Sequence, residues 1–271
     1  MHPIERLRYV ARSSGAPQAV LVRETADALG SLGFDPAGLV TACRRVLDRH
    51  PTSGPLWCLA ARVLTTVGDP DEEGWHVAEE LDDDPTVDEL AHAIPEDATV
   101  AVLGWPELVG EALARRGDLE VLAIDALDEG SGLVRSLRYS GADAADVPVA
   151  GLGAAVASAD LVLLETSASG PDAFVAVAGS RAAAAVARDA GVPVWLVAGR
   201  GRRLPRALFA ALTERMAAEH GDEPWEATDE LVPAALVDRV CGPVGPVDPA
   251  VGFANADCPV APELLKAVPR L

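Results

Sequence analysis

From about residue 98 onward, short apolar runs alternate with amphipathic stretches, and no other feature constrains the fold as tightly. Thr99-Val-Ala-Val-Leu103, Leu119-Glu-Val-Leu-Ala-Ile124, Asp160-Leu-Val-Leu-Leu164 and Val194-Trp-Leu-Val197 have strand length and are nearly continuously apolar. Runs of this kind are buried on both faces, as in a parallel sheet covered by helices. A shorter strand is expected at Asp146 to Val149. Helices are expected from Pro106, over Gly132 to Arg138, over Leu152 to Ala157 and over Ser180 to Asp189, the last ended by Gly191. The pattern predicts an α/β, doubly wound, Rossmann-like parallel sheet. Ligands bind beyond the carboxyl ends of the strands in such sheets. The loops after Leu103, Ile124, Leu164 and Val197 are therefore where a site is sought.

The preceding residues read differently. Pro3 to Arg12 and residues 17–30 carry apolar side chains at helical spacing. Asp35-Pro36 is a cap followed by a proline at the first helical position, with Leu39, Val40, Cys43, Val46 and Leu47 as the stripe behind it. His50 to Pro55 interrupts the pattern, Leu56 to Leu64 is a strongly apolar helix, and Gly68-Asp69-Pro70 opens another. That helix runs into the acidic stretch Glu79 to Asp84, expected to be a solvated helix end. The division expected is a helical domain over 1–95 and a Rossmann-like domain over 96–271. The Gly- and Pro-rich residues after about 240 are expected to wrap the second domain as an irregular tail.

Composition excludes several functions. Lys and Arg total 22 against 42 Asp and Glu, a formal charge of −20, which opposes an extended nucleic-acid surface. No apolar run reaches the roughly 18 residues of a membrane span, and the first residues lack the apolar core of a secretory signal. Lys266 is the sole lysine. No Gly-Lys-Ser/Thr phosphate loop exists, and a Schiff-base lysine would have to sit in the C-terminal tail. Cys43, Cys58, Cys241 and Cys258 form no Cys-x-x-Cys pair and suit free thiols in a reducing cytoplasm. The five histidines make no metal spacing. No metal and no cofactor is expected.

Each loop at a strand end allows two readings. Gly104-Trp105-Pro106 opens a helix whose first amides could hold an anion, or it is a turn. Glu165, Thr166, Ser167 and Ser169 follow the third long strand and supply a carboxylate and hydroxyls; such residues also satisfy loop backbone. Ser180, after Gly179, is either a helix cap or a site hydroxyl. Arg200, Arg202 and Arg203, with Arg206 nearby, are concentrated in a strongly acidic chain. They suit phosphate recognition or balance local acid residues. Gly151-Leu152-Gly153 is a partial dinucleotide fingerprint without its third glycine, and is read as a helix start.

Taken together, residues 159–202 resemble the translation initiation factor 2B alpha/beta/delta family, which includes sugar-phosphate isomerases. The family pattern has an apolar strand ending in Gly-Ala-Asp, a segment ending Asn-Lys-Ile-Gly-Thr, a helix, Gly-Val-Pro, a strand and a loop with Ser-Lys. Here the strand is 160–164, Gly179-Ser180 stands at Gly-Thr, Gly191-Val192-Pro193 is in place, and Arg202 replaces the loop lysine. His50-Pro51-Thr52 resembles the family's Arg-Pro-Thr, and residues 230–237 resemble its segment before the C-terminal strand. The resemblance implies a helical domain joined to a Rossmann-like domain, and pairing into a homodimer.

The departures bear on chemistry. The isomerases use a cysteine after the first sheet strand and the aspartate of Gly-Ala-Asp, because moving a proton between two sugar carbons needs an acid facing a base. The cysteine's place falls near Gly104, Glu165-Thr166-Ser167 replaces Gly-Ala-Asp, and Ala176-Val177 replaces Asn-Lys. The expectation is a non-catalytic cytoplasmic member of the family. It would bind a phosphorylated small molecule, either a sugar phosphate or a nucleotide, or a protein partner. Gly104, Trp105, Ser167, Gly179, Ser180, Arg200 and Arg202 would line its site. The alternative is an active aldose–ketose isomerase with Glu165 as its base and Asp125 or Asp143 as the acid.

Overall fold

A computed structural model describes residues 17–30, 32, 35–220 and 223–265. The helix expected over Pro3 to Arg12 and Lys266 lie outside these residues. The described chain opens with helices α1 (Gln18–Gly30), α2 (Pro36–Arg49), α3 (Gly54–Thr65), α4 (Pro70–Asp82) and α5 (Thr86–Ala93). The starts of α2, α3 and α4 follow from their capping residues. Asp35 Oδ1 accepts the Gly38 amide at 3.0 Å, Ser53 Oγ accepts Leu56 N and Asp69 Oδ1 accepts Asp71 N at 2.9 Å. Helix α3 is apolar on nearly every face and accordingly lies at the centre of the helical layer, with Leu56, Trp57, Leu59 and Ala61 buried.

The sheet follows. Its strands are β1 (Thr99–Leu103), β2 (Glu120–Ile124), β3 (Asp143–Val147), β4 (Leu161–Glu165), β7 (Val194–Val197), β9 (Arg239–Gly242) and β10 (Gly245–Val247). They lie in the order β3-β2-β1-β4-β7-β9-β10. All pairings are parallel except that of β10 with β9. The chain builds outward from β1 to β3, then returns beside β1 to build the other half. The order reverses between β1 and β4, which is the switch point of a doubly wound sheet.

Helices α6 (Glu107–Ala114) and α7 (Gly130–Tyr139) join α5 on one face, around Val100, Val102, Leu113 and Leu137. Helices α8 (Leu152–Ser158) and α9 (Ser180–Ala190) cover the other, where Ala183, Ala184 and Ala187 meet Val162 and Leu196. The Ala-rich helix thus buries its small side chains against its own sheet.

A second sheet, unmarked in the sequence reading, is inserted between β4 and β7. It contains β5 (Ala168–Ser169) and β6 (Ala173–Val177), together with the later strand β8 (Asp229–Pro233), in the antiparallel order β5-β6-β8. Alternate residues of β6 face opposite ways. Phe174 and Ala176 pack with the main sheet, and Val175 packs with the helical layer. The core of that layer also takes in Leu204 and, from α10 (Arg206–His220), Leu208 and Leu212.

Two expectations need correction. Residues 240–247 are not part of an irregular tail, because β9 is the sixth parallel strand and β10 turns back on it; the described chain beyond them has only a four-residue helix (Pro249–Gly252) and a 3-10 turn (Pro262–Leu265). Proline and glycine hid a strand at the sheet's edge, where such residues are tolerated. Strand β3 begins at Asp143 rather than Asp146, since an edge strand bears acid residues that a search for apolar runs passes over. Among the described residues, no helix is long and apolar enough to cross a membrane.

Candidate functional site

The crevice lies at the carboxyl ends of β1 and β4. Strand β1 ends in Gly104, whose φ of +62° makes the turn that a side chain would strain. Gly104 N donates to Ile124 O at 2.9 Å. Trp105 follows, half exposed at 51%. Its six-membered ring lies over Gly132 so closely that a Cβ there would come within 2.6 Å of Cζ3. The glycine at 132 therefore seats the indole at the rim. Pro106 then leads into α6.

Strand β4 ends in Glu165, and both of its oxygens are engaged. Oε2 accepts Val109 N, in the first turn of α6, at 3.0 Å. Oε1 accepts Arg202 Nη1 at 2.7 Å. The same Nη1 donates to Thr166 O at 2.7 Å, and Nη2 lies 3.6 Å from Glu107 Oε2. Glu107 also accepts the Gln18 amide at 3.1 Å, so the first residue of α1 forms part of the wall. Burial pushes the Glu107 carboxyl up, and the Glu165 charge adds to this; the Arg202 guanidinium and the Gln18 N–H oppose both.

The helical layer approaches as closely here as backbone allows. Gly54 N donates to Ser167 O at 2.9 Å, and a Cβ on Gly54 would lie 2.6 Å from that oxygen. Ser167 Oγ and Ser180 Oγ are buried and meet no hydrogen-bond partner among the described residues. Of the two readings of Ser180, helix cap or site hydroxyl, the first does not hold. The N-cap of α9 is instead Gly179, at φ +97°, and Ser180 is the first helical residue, which leaves its hydroxyl unused.

A cavity of about 210 Å³ is formed there. Of the expected site residues, it brings together Trp105, Glu165, Ser167, Ser180 and Arg202. Gly104 and Gly179 stand behind them: a Cβ on Gly104 would lie 3.4 Å from Glu129, and one on Gly179 would lie 3.3 Å from Leu103, both cavity residues. Arg200 lies outside the cavity. Its amide donates to Asp84 Oδ2 at 2.8 Å, and that carboxylate also accepts the Thr86 amide and hydroxyl. Asp84, at the end of the acidic stretch, is thus a structural acceptor, while Glu79, Asp82 and Asp83 form the exposed helix end that the sequence led one to expect. Arg203 pairs with Asp257 at 2.7 Å, and Arg206 pairs with Asp172. The arginine loop therefore delivers one guanidinium to the crevice.

Sequence reasoning missed Gln18, Glu107, Glu129 and Asp229, which also line the cavity. Glu129 follows a turn in which Leu127 and Asp128 both have φ near +60°, an uncommon conformation for side-chain-bearing residues. The loop after Ile124 had pointed to this place. Two candidate acids for isomerisation do not reach it. Asp143 begins β3, at the opposite end of the sheet, and Asp125 accepts Gly130 N at 2.7 Å outside the cavity.

Both helix starts at the crevice already hold a carboxylate of the chain itself. Glu165 occupies the first turn of α6, and Glu230 Oε1 accepts Arg181 N of α9 at 2.9 Å. Among the described residues, the charged lining is four carboxylates and one guanidinium.

No family model and no curated protein matches the sequence. Solved structures do match its fold. The translation initiation factor eIF-2B of Pyrococcus horikoshii OT3 superposes with a TM-score of 0.75 at 14% identity, covering 93% of this chain and 98% of that one. The eIF2B beta subunit of Chaetomium thermophilum gives 0.68 at 14% identity, over 93% and 90% of the two chains. A chain of the tetrameric eIF2B-beta2-delta2 complex from C. thermophilum gives 0.69 at 16%, over 93% of each. The expected resemblance to the initiation factor 2B family holds at the level of the fold.

Proposed function

We propose that the chain is a cytoplasmic member of the initiation factor 2B family that acts by binding rather than by isomerisation, taking a small polar molecule into the crevice between β1 and β4. The observation that carries this reading is the pair of buried hydroxyls, Ser167 Oγ and Ser180 Oγ, that have no partner among the described residues. Buried polar groups ordinarily have partners, and a ligand's hydroxyl or amine would supply them. The cavity is smaller than the several hundred Å³ of a drug-sized site, which favours a single sugar over a nucleotide. A phosphorylated sugar would rely on Arg202 alone for its charge.

Thermal unfolding against a panel of sugars, sugar phosphates, amines and nucleotides tests the reading, since a ligand of the native state raises Tm. A shift that Ser180→Val removes is the expected result. No shift across the panel overturns it.

The isomerase alternative keeps one favourable observation: Glu107 supplies a second carboxyl beside Glu165, with a raised pKa suited to an acid. Against it, both Glu165 oxygens are already held. Aldose–ketose interconversion abolished by Glu165→Gln would establish that alternative. We also infer self-association, as in the C. thermophilum complex; light scattering showing only a monomer would remove it.

A further inference from the structure

The lining of the crevice specifies a ligand class. Among the described residues, Glu107, Glu129, Glu165 and Asp229 line it with one guanidinium, which is ion-paired to Glu165 and donates to Thr166 O; Glu107 and Glu129 are the carboxylates that this proposal uses. The helix starts that would ordinarily welcome an anion are filled by Glu165 and Glu230. A phosphate entering the crevice would face the Glu107 and Glu129 carboxylates, and like charges repel.

Three independent features complete the description. Ser180 is 1% exposed, lines the cavity, and has a hydroxyl without a partner among the described residues; Ser167 adds a second. Trp105 offers a half-exposed indole at the rim, and aromatic faces attract cations. The cavity of about 210 Å³ limits the ligand to roughly one sugar ring, well below drug size.

We propose that the crevice takes a small hydroxylated ammonium of amino-sugar size. Its positive charge lies toward the carboxylate wall, its body against Trp105, and its hydroxyls on Ser167 and Ser180. This rests on the crevice reading above and adds the sign of the ligand's charge. The attraction is electrostatic in part, so added salt weakens it.

Glucosamine, glucose and glucose 6-phosphate differ chiefly in charge and serve as probes. Calorimetric titration of the full chain, at a pH where the amine is protonated, should show glucosamine binding about tenfold tighter than glucose, equal to about 1.4 kcal/mol. Glucose 6-phosphate should bind more weakly than glucose. Glu129→Gln, at an exposed position, should cost glucosamine about tenfold in affinity while leaving the unliganded Tm unchanged. Trp105→Ala should weaken binding as well. Preference for glucose 6-phosphate, or equal binding of all three, overturns the charge assignment and leaves the crevice reading intact. Glucosamine binding untouched by both variants places the ligand elsewhere and overturns both. Absence of binding by every probe overturns the proposed class, and the crevice reading then stands or falls on the wider panel.

Discussion

Arg202 and Glu165 meet side chain to side chain at 2.7 Å, 6% and 9% exposed respectively. The pair joins the loop after β7 to the end of β4. Removing one partner of a buried pair strands the other charge, a loss of about 3–5 kcal/mol. Arg202→Met should therefore lower the urea midpoint sharply, and adding Glu165→Gln to it should recover part of the loss. A single-variant loss below about 1 kcal/mol, the worth of a surface pair, would show that the contact is solvated.

Gly54 has no room for a side chain, since a Cβ would lie 2.6 Å from Ser167 O and 3.0 Å from the Arg202 Cα. Both neighbours are backbone and cannot rotate away. Gly54→Ala should destabilise by about 1–3 kcal/mol, as overpacking does. It should also weaken any crevice ligand, because Ser167 must move. Equilibrium unfolding beside a binding titration checks both effects, and unchanged stability would refute the close approach.

Trp57 is fully buried, donates from Nε1 to Pro51 O at 2.9 Å, and lies under the Arg215 guanidinium, 4.7 Å from the ring centroid. Trp57→Phe keeps an aromatic ring and removes the donor, leaving a buried carbonyl unpaired at a cost of about 1–3 kcal/mol. Denaturant unfolding reads this directly. A neutral outcome would mean that water reaches Pro51.

Burial pushes the Cys43 and Cys241 thiols up to about 12 from the ordinary 9.0. The folded chain then keeps protons that the unfolded chain loses, so stability holds below about pH 9 and falls between pH 9 and 12. The slope is roughly 1.4 kcal/mol per pH unit for each thiol. Cys43→Ala should flatten part of that slope. A thiol reagent at pH 8 should leave both residues unmodified until the chain unfolds, and rapid labelling of the native chain would contradict their burial.

The long strands were legible because burial on both faces leaves an uninterrupted apolar signature. Residues 99–103 and 194–197 are strands with the boundaries that signature gave. Strand β5 is only two residues long, and β8 carries Asp229 and Glu230, so neither had a period to detect. At the site, the loops were legible and the side-chain partners were not. Arg202 and Glu165 are 37 positions apart in the chain, and nothing local marks Arg202 as the arginine that turns inward. Arg200 carries the same chemistry two residues earlier, yet its amide is fixed by Asp84, 116 positions away. Glu107 and Glu129 were within reach of the reading, since each follows a loop at a strand end. Gln18 was not, because the contact between α1 and the crevice exists only in the assembled fold.

The two margins of the main sheet carry a further consequence. One margin, β3, displays exposed Asp143 and Asp146; the other, β10, is three residues long and contains Pro246. Charge blunts the first margin, while shortness and a missing amide blunt the second. Both devices oppose continuation of this sheet by a strand from another chain, so the seven strands are paired within one molecule.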